Sequence, residues 1–296
     1  MRALVTGGAG FIGSHLVDAL LARGDDVVVL DDLSTGRRDY VDGDATFVEH
    51  DIREPFETDA ERVFHLAAQA DVGTSMERPG FDSEVNVVGT VNVLEAARAA
   101  GARVVFSSTG GAIYGDVDAP AREDSALLPV SAYGLAKRSA EVYVDGWNRI
   151  FGAGHVVLRF ANVYGPRQSA ALEGGVVAIF LERLAAGEPT TIFGDGTITR
   201  DFVHVDDVVR ALVLAGDHPG GVFNVGTGTE TTVAELHELC ERAVGVEAPP
   251  SFGPARAGDA RRSVLDPSYA AAELGFTASV ALAHGIATTH EASLQE

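Results

Sequence analysis

Lysine and cysteine are almost absent from this chain of 296 residues. The single cysteine, Cys240, excludes an intramolecular disulfide and a zinc site built from cysteines. No apolar run reaches the length of about 18 residues that a transmembrane helix requires. One basic residue precedes the first strand and its glycine-rich turn, which is not the pattern of a signal peptide. We therefore expect a cytoplasmic protein.

Positive charge is also scarce, since 43 acidic residues face 22 basic ones and the formal net charge is −21. A negative field of this size disfavours binding to nucleic acids and to anionic membranes. A phosphorylated ligand would therefore need a few local arginines. Three histidines, His65, His204 and His237, show no spacing typical of metal ligands, so we predict no metal site.

Lys137 is the only lysine among the 22 basic residues. A genomic preference for arginine codons accounts for the arginines, but it does not explain why one lysine is kept. Arginine stays protonated and carries a broad planar group, whereas lysine is a compact ammonium. Lys137 is therefore a candidate for chemistry that arginine cannot perform.

Apolar runs alternate with amphipathic stretches along the first half of the chain. The runs predict buried parallel strands at 2–6, 26–30, 46–49, 62–66, 103–107 and 155–160. The amphipathic stretches predict helices at 11–23, 84–100 and 132–150. This alternation is typical of an α/β fold with a Rossmann-type doubly wound parallel sheet. Residues 1–160 are predicted to form this Rossmann-type domain.

Residues 161–296 are predicted to form mainly a smaller C-terminal substrate-binding lobe, with some segments returning to the sheet. Thr232 and Glu235 fit a capping box that opens a helix running to about Val244. The glycine- and proline-rich stretches predict loops at 165–175, 186–200, 216–230 and 248–262.

A glycine-rich turn follows the first predicted strand and opens the first predicted helix. Gly7, Gly10 and Gly13 allow a tight turn, close approach of a pyrophosphate and close packing of helix on strand. Asp31 ends the second strand, where a carboxylate binds both ribose hydroxyls and repels a 2′-phosphate. NAD is therefore favoured over NADP, although Arg37 and Arg38 lie nearby.

Tyr133 and Lys137 stand four residues apart on a predicted helix, so that their side chains share one face. An ammonium beside a phenol lowers the tyrosine pKa from its usual value of ~10 and makes it a usable general base. Ser107, Ser108 and Thr109 end the strand at 103–107, where ligands bind in such sheets. One of these hydroxyls could bridge Tyr133 and a substrate hydroxyl.

The predicted cofactor contacts come from the glycine turn, the strand ends and the tyrosine–lysine pair. They are Gly7, Gly10, Phe11, Ile12, Gly13, Asp31, Asp32, Asp51, Ile52, Leu66, Ala67, Ala68, Ser107, Tyr133 and Lys137.

Five segments together carry a family resemblance: TGGAGFIG, SSTGGAIYG, YGLAK, RFANVYGPRQ and IFGDG followed by TRDFVHVDD. With them, the chain resembles the extended short-chain dehydrogenase/reductase family, and within it nucleotide-sugar epimerases of the UDP-glucose 4-epimerase type. The resemblance implies that Tyr133 removes the sugar 4-OH proton, while Lys137 lowers its pKa and holds the nicotinamide ribose. It implies Thr109, with Ser108 second, as the bridging hydroxyl. Hydride then leaves C4 for NAD and returns to the other face of the sugar.

The same resemblance implies a site for a UDP-sugar and a homodimer. Asn162 would hold the diphosphate, and Phe193 would lie against the base. The other implied substrate contacts are Arg200 and Arg256 on the diphosphate and Asp259 on the nucleoside ribose. Asn86 is expected to tether two elements near the site. The dimer would form through a four-helix bundle that includes residues 84–100 and 135–150.

Alternatives within the family remain open from the sequence. The stretch Gly110–Ala112 lacks the acidic residues of 4,6-dehydratases and decarboxylases, which disfavours both activities. Ser263, in place of a bulkier residue, suggests room for a UDP-N-acetylhexosamine or for UDP-glucuronate. Arg167, Arg261 and Arg262 are the candidate partners of a glucuronate carboxylate. A 4-keto-sugar reductase and a non-catalytic NAD-binding protein are further alternatives.

Overall fold

The computed structural model describes residues 1–170, 175–255 and 260–295. The strands are β1 (Arg2–Thr6), β2 (Asp26–Asp31), β3 (Thr46–Glu49), β4 (Arg62–His65), β5 (Arg103–Thr109), β6 (Val156–Phe160), β7 (Asn162–Tyr164), β8 (Thr191–Phe193), β9 (Thr199–Arg200), β10 (Phe202–His204), β11 (Gly221–Val225), β12 (Thr231–Thr232), β13 (Ser251–Gly253) and β14 (Arg262–Ser263).

The helices are α1 (Phe11–Ala22), α2 (Val72–Glu77), α3 (Pro79–Ser83), α4 (Gly89–Ala100), α5 (Gly110–Ile113), α6 (Ala132–Phe151), α7 (Val176–Ala185), α8 (Val205–Asp217), α9 (Val233–Val244), α10 (Ser268–Glu273) and α11 (Leu282–Ser293). A 3-10 turn spans Arg38–Tyr40, and a π-helical turn at Glu84–Val88 leads from α3 into α4.

Seven parallel strands form the central sheet in the order β11-β6-β5-β4-β1-β2-β3. The strand order reverses between β1 and β4, because β2 and β3 lie on one side of β1 and β4 to β6 on the other. In open parallel sheets a crevice forms at this switch point, beyond the carboxyl ends of the strands.

Alternating side chains of the strands pack against helices on both faces of the sheet. Ala3 and Val5 join a core with α1 and α8, whereas Leu4 joins a second core with α4 and α6. Both faces are covered, and this explains why the strands read as continuous apolar runs. A third core joins α7, α9 and α11 around Ile192 of β8. The Rossmann-type fold predicted from the sequence is confirmed.

The predicted strands of the first half all form, with small differences at their ends. The helix predicted at 84–100 begins instead with the π-helical turn. The loops predicted at 186–200, 216–230 and 248–262 are wrong in part, because strands form inside them. Four of these strands have only two or three residues and pair with partners distant in sequence, such as β13 with β8 and β14 with β9. Local periodicity cannot reveal such pairings.

The strand that forms inside the loop predicted at 216–230 is β11, which joins the edge of the central sheet beside β6. The boundary predicted at residue 160 stays a prediction. In the described part of the chain, no helix is both long and apolar enough to cross a membrane.

A buried ion pair fixes α6 against the sheet. Arg159 of β6 donates from Nε and Nη2 to the two carboxylate oxygens of Glu141, at 2.9 and 2.8 Å. Both side chains are only 4% exposed. Arg159 also donates to the hydroxyl of Tyr114, which in turn donates to Asn224 of β11 at 2.8 Å. The network therefore connects α6, β6, β11 and the segment that follows β5.

Removing the arginine of this pair should be costly. Arg159→Ala leaves the buried Glu141 carboxylate with only the more distant and partly exposed Arg138, at 3.6 Å, and we expect a loss of about 3 kcal/mol in the free energy of unfolding. Arg149→Ala is the matched control, because it breaks an exposed pair with Asp145 on the same helix and should cost less than about 1 kcal/mol. Urea unfolding followed by circular dichroism measures both. Similar costs for the two variants would contradict the role given to the buried pair.

Candidate active site

A cleft of 1310 Å³ lies beyond the carboxyl ends of the central strands. All fifteen residues predicted to contact the cofactor line this cleft. Ser108, Thr109, Asn162, Phe193 and Arg200 line it as well. Arg256 and Asp259, the other two predicted substrate contacts, lie outside the described residues. The structure thus brings the predicted site residues together, while their individual roles stay predictions.

The glycine turn forms a cradle of bare backbone at the start of α1. Gly7 has a φ of +72°, and a Cβ there would lie 2.6 Å from the amide nitrogen of Ala67. A Cβ at Gly13 would overlap the carbonyl oxygen of Gly7. Phosphate oxygens can therefore approach the amide groups at the first turn of α1, where the helix dipole also favours negative charge. The cradle fits the pyrophosphate of a dinucleotide.

Asp31 lies at the end of β2 on the wall of the same cleft. Its Oδ2 accepts from the amide of Ala9 at 3.0 Å, and its Oδ1 accepts from the amide of Leu33 at 2.9 Å. These two bonds fix the carboxylate beside the glycine turn, and burial raises its pKa. Of the nearby arginines, Arg37 is paired with Asp39 and Arg38 lies over the ring of Phe47. The arrangement fits a ribose with free hydroxyls.

Two of the weaker cofactor candidates are engaged with neighbouring groups. Asp51 accepts a bidentate pair of hydrogen bonds from Arg53, which lowers the pKa of Asp51. The oxygen Oδ1 of Asp32 accepts from the amide and the hydroxyl of Ser34. Both carboxylates still line the cleft and shape its far end.

Helix α6 presents Tyr133 and Lys137 to the cleft from its first two turns. Ser131 caps the helix by accepting from the amide of Gly134 at 3.1 Å, so the helix begins just before Tyr133. The ammonium of Lys137 donates to the carbonyl of Ser107 at 3.1 Å and lies 4.9 Å from the ring centroid of Phe106. The lysine is thereby held at the end of β5.

Burial dominates the ionisation of both side chains. It lowers the pKa of Lys137 to about 8, and the charges of Asp82 and Glu141 oppose this change. Burial also raises the pKa of Tyr133 above its usual range, Asp82 adds to the rise, and a hydrogen bond with the Thr109 side chain opposes it. The expectation of a lowered Tyr133 pKa is therefore wrong for this structure, because desolvation of the phenolate outweighs the stabilising contacts.

Thr109 is the hydroxyl that the geometry favours as the bridge. It caps the short helix α5, where its Oγ1 accepts from the amide of Ala112 at 3.2 Å. Because this oxygen is already an acceptor, its own proton is free to be donated to the Tyr133 oxygen or to a ligand. By contrast, the Oγ of Ser108 is buried and has no hydrogen-bond partner within the described part of the chain.

The substrate candidates that the structure describes line another part of the cleft. Asn162 begins β7, and its buried Oδ1 has no partner among the described residues. Phe193 ends β8, and Arg200 ends β9 with its Nη1 donating to the carbonyl of Thr199 at 2.9 Å. An aromatic ring, an amide and a guanidinium in one wall suit a base and a diphosphate.

None of the three arginines considered for a glucuronate carboxylate lines the cleft. Arg262 pairs with Glu230, and Arg167 pairs with Asp18 of α1 at 2.9 Å. Ser263, which suggested a roomier pocket, is buried in β14 and is not among the residues that line the cleft. Within residues 1–170, 175–255 and 260–295, no group of His, Cys, Asp and Glu could hold a metal ion.

The segment after β4 supplies residues that the sequence analysis missed. Residues 69–74 line the cleft beyond Ala68, and Ser75 accepts from the amide of Tyr133 at 3.1 Å. The available signal was their position directly after a central strand, where ligands bind in such sheets. Asn86 tethers this segment as predicted, because its side chain bonds both the amide and the carbonyl of Gln69.

The model of the NAD dependent epimerase/dehydratase family matches residues 3–226. The chain belongs to this family. The resemblance seen in the sequence and the NAD cofactor are thereby confirmed.

Its relatives match it along almost the whole length of both chains. A UDP-glucose 4-epimerase of Mycolicibacterium smegmatis is 50% identical over 306 residues, and the match covers 98% of each chain. A UDP-glucose 4-epimerase of Thermotoga maritima, solved with UDP-glucose, is 44% identical with a TM-score of 0.96 and covers 100% of this chain and 99% of that one. That of Thermus thermophilus, solved with NAD, is 42% identical with a TM-score of 0.92 and covers 99% and 98%.

The glycine cradle predicts a sharp effect on cofactor binding. Gly13→Ala should weaken NAD binding by more than about tenfold, or about 1.4 kcal/mol, because the new methyl group displaces the Gly7 carbonyl. Gly43→Ala is the control, since a Cβ at Gly43 meets no atom within 4 Å. Isothermal titration calorimetry of nucleotide-free protein with NAD measures both. Unchanged affinity in the folded Gly13 variant would argue against the cradle.

Proposed function

We propose that this chain is an NAD-dependent UDP-hexose 4-epimerase that interconverts UDP-glucose and UDP-galactose. The observation that carries the proposal is the meeting of Tyr133, Thr109 and Lys137 in the cleft that also contains the dinucleotide cradle. The match over the full length of UDP-glucose 4-epimerases supports the substrate.

In the proposed reaction, Tyr133 takes the proton of the sugar 4-hydroxyl. The Lys137 ammonium and the Thr109 hydroxyl stabilise the phenolate that accepts it, the first by charge and the second by donating a hydrogen bond. The chemistry that NAD would supply when bound is the reversible acceptance of a hydride from C4. In the return step, Tyr133 gives its proton back to the C4 oxygen of the 4-keto sugar. The net change in oxidation state is zero.

The keto sugar must present both faces to the same reacting groups. Asn162 and Arg200 would hold the diphosphate, which leaves the sugar end free to rotate about its link to the phosphate. Beside Thr109 the cleft wall is formed by Gly111 and Ala112, whose small side chains leave room for this rotation. Arg256 and Asp259 are proposed to complete the nucleotide contacts.

Proton NMR of the purified protein with UDP-glucose, UDP-glucuronate and UDP-N-acetylglucosamine, each alone and without added NAD, tests the substrate and the reaction together. A new anomeric signal from UDP-galactose is expected with UDP-glucose. Conversion of another sugar would move the assignment to that sugar. No conversion of these three sugars, together with equimolar oxidation of NADH when a nucleotide 4-keto sugar is supplied, would identify a 4-keto-sugar reductase instead.

Loss of the phenol oxygen should abolish turnover. Tyr133→Phe keeps the ring but removes the proton acceptor, and we expect kcat to fall by at least about 10²-fold. Tyr269→Phe is the control, because its exposed side chain stacks on Phe223 outside the cleft. Coupled assay of UDP-glucose formation from UDP-galactose measures both. Wild-type turnover in the Tyr133 variant would overturn the assignment of the base.

We further propose that two copies associate through α4 and α6. One face of α6 exposes large apolar side chains, namely Leu135, Val142, Tyr143, Ile150 and Phe151, and Val88 is exposed just before α4. Exposed apolar side chains on α6 and directly before α4 favour burial against a second copy, in the four-helix arrangement that the family resemblance implies. The cytoplasm is the proposed location, since NAD and nucleotide sugars are metabolites of the cell interior.

A charge in this face should separate the copies. Val142→Glu is expected to halve the mass measured by light scattering after size exclusion, because a carboxylate would be buried at the contact. Leu294→Glu is the control, because it places the same charge at a residue that is 71% exposed near the C-terminus, outside α4 and α6. It should leave the mass unchanged. An unchanged mass in both variants, or a wild-type monomer, would contradict the proposed dimer.

A further inference from the structure

Asp82 is a buried carboxylate that the proposed mechanism does not use. It lies in α3 and has no exposed surface. Its Oδ1 accepts from Nε2 of Gln69 at 2.8 Å and from Nδ2 of Asn86 at 3.0 Å. Its Oδ2 has no hydrogen-bond partner in the described ranges. An acidic side chain buried without a salt bridge needs a reason, because desolvation alone disfavours its charged form.

Helix α3 packs against α6, the helix that carries Tyr133 and Lys137. Gln69, which donates a hydrogen bond to Asp82, lines the same cleft as Tyr133 and Lys137. At this position the negative charge of Asp82 raises the pKa of Tyr133 and opposes the lowering of the Lys137 pKa by burial. The amides of Gln69 and Asn86 donate to one oxygen and keep the carboxylate in place. Its second oxygen has no donor among the described residues. Burial raises the pKa of Asp82, and the two amides and the charge of Lys137 oppose this rise in favour of the carboxylate.

The other titratable groups near Lys137 do not provide a free negative charge for its ammonium. Glu141, one turn further along α6, is matched by the bidentate contact with Arg159. His65 of β4 is buried between hydroxyls, and burial together with Lys137 lowers its pKa to about 3, so it stays neutral. Tyr133, in the phenolate form that accepts the proton, is the group that the Lys137 ammonium stabilises and not an additional counter-charge. Among the described residues, Asp82 is therefore the carboxylate acting on both members of this pair that has no ion pair with an arginine.

We propose that Asp82 is a positioning residue that holds Lys137 in its ammonium form, as the buried counter-charge of the Tyr133–Lys137 pair. The proposal rests on the epimerase function proposed above, but its first test measures the pKa of Lys137 and does not require turnover. An ammonium stabilises a phenolate only while it stays protonated, and burial works against that. A nearby carboxylate offsets the loss of hydration.

The sign of the effect is the same for both side chains. Neutralising Asp82 removes an attraction that raises the pKa of Lys137, so that pKa falls. It also removes a repulsion that raises the pKa of Tyr133, so that pKa falls as well. Both limbs of a bell-shaped pH profile should then move to lower pH. A purely structural role for Asp82 would lower the maximum of the profile without moving it.

The chain offers a direct measurement, because Lys137 is its only lysine. Protein labelled with ¹³C and ¹⁵N in lysine gives one side-chain ammonium signal, whose pH titration reports the Lys137 pKa in the NAD-bound protein. We expect Asp82→Asn to lower this pKa by at least about one unit relative to the wild type. Glu84→Gln is the matched control, since it removes an exposed carboxylate two residues away and should change the pKa by less than about 0.3 units.

A shift below about 0.3 units in Asp82→Asn would overturn the proposal. Asp82→Ser is a second neutral variant with a smaller side chain. It should give the same shift and can be measured if Asp82→Asn folds poorly. A wild-type Lys137 pKa below about 7 would also overturn it, and that measurement needs no variant. If Asp82→Asn lowers the Lys137 pKa but the wild-type protein does not epimerise UDP-hexoses, the counter-charge proposal is supported and the proposed function is rejected. Failure of the one proposal can therefore be distinguished from failure of the other.

The pH profile of kcat/KM then tests the consequence for turnover. In Asp82→Asn both limbs should lie at lower pH than in the wild type, whereas Glu84→Gln should leave them in place. Asp82→Glu, which restores the charge, should return the limbs towards their wild-type positions. A profile that loses height at an unchanged position would assign Asp82 a structural role and contradict the proposal.

Discussion

The buried contact between Glu141 and Arg159 fixes the position of α6, and the reacting end of the cleft depends on that position. Tyr133 and Lys137 extend from the first two turns of this helix, while their partners Thr109 and Ser107 end β5. A helix packed only by apolar side chains could rotate or slide slightly at small cost. A bidentate pair permits one register, because the planar guanidinium and the carboxylate must meet edge to edge.

The same helix shows how closely burial and chemistry are connected in this site. Desolvation pushes the lysine towards its neutral form and the tyrosine towards its protonated form, and both changes oppose general-base catalysis. The charges of Asp82 and Glu141 oppose the change at Lys137, and the Thr109 side chain opposes the change at Tyr133. A strongly acidic chain can therefore bind anionic ligands, since the first turn of α1 and a few arginines act locally against its net charge of −21.

Most of the fold was predictable because it follows local periodicity. The central strands are buried on both faces and read as apolar runs, and the glycine turn marks the start of α1. Short strands such as β13 and β14 could not be predicted, because they form only through pairing with β8 and β9. In the site, the motif residues around Tyr133 and Asp31 were accessible from spacing alone. Asp82 was not, since a single acidic residue on a helix has no periodic signal and its meaning depends on what packs against it.

Thr109 joins two roles in one oxygen atom. Its Oγ1 caps α5 by accepting from Ala112, and the same hydroxyl acts against the rise of the Tyr133 pKa and is the proposed bridge to the substrate. A change to alanine would therefore remove a helix cap and the bridge together, while serine would keep both. A change at this one atom would therefore alter the stability of α5 and the proposed chemistry of the cleft at the same time. Only residues with a hydroxyl on Cβ can preserve both.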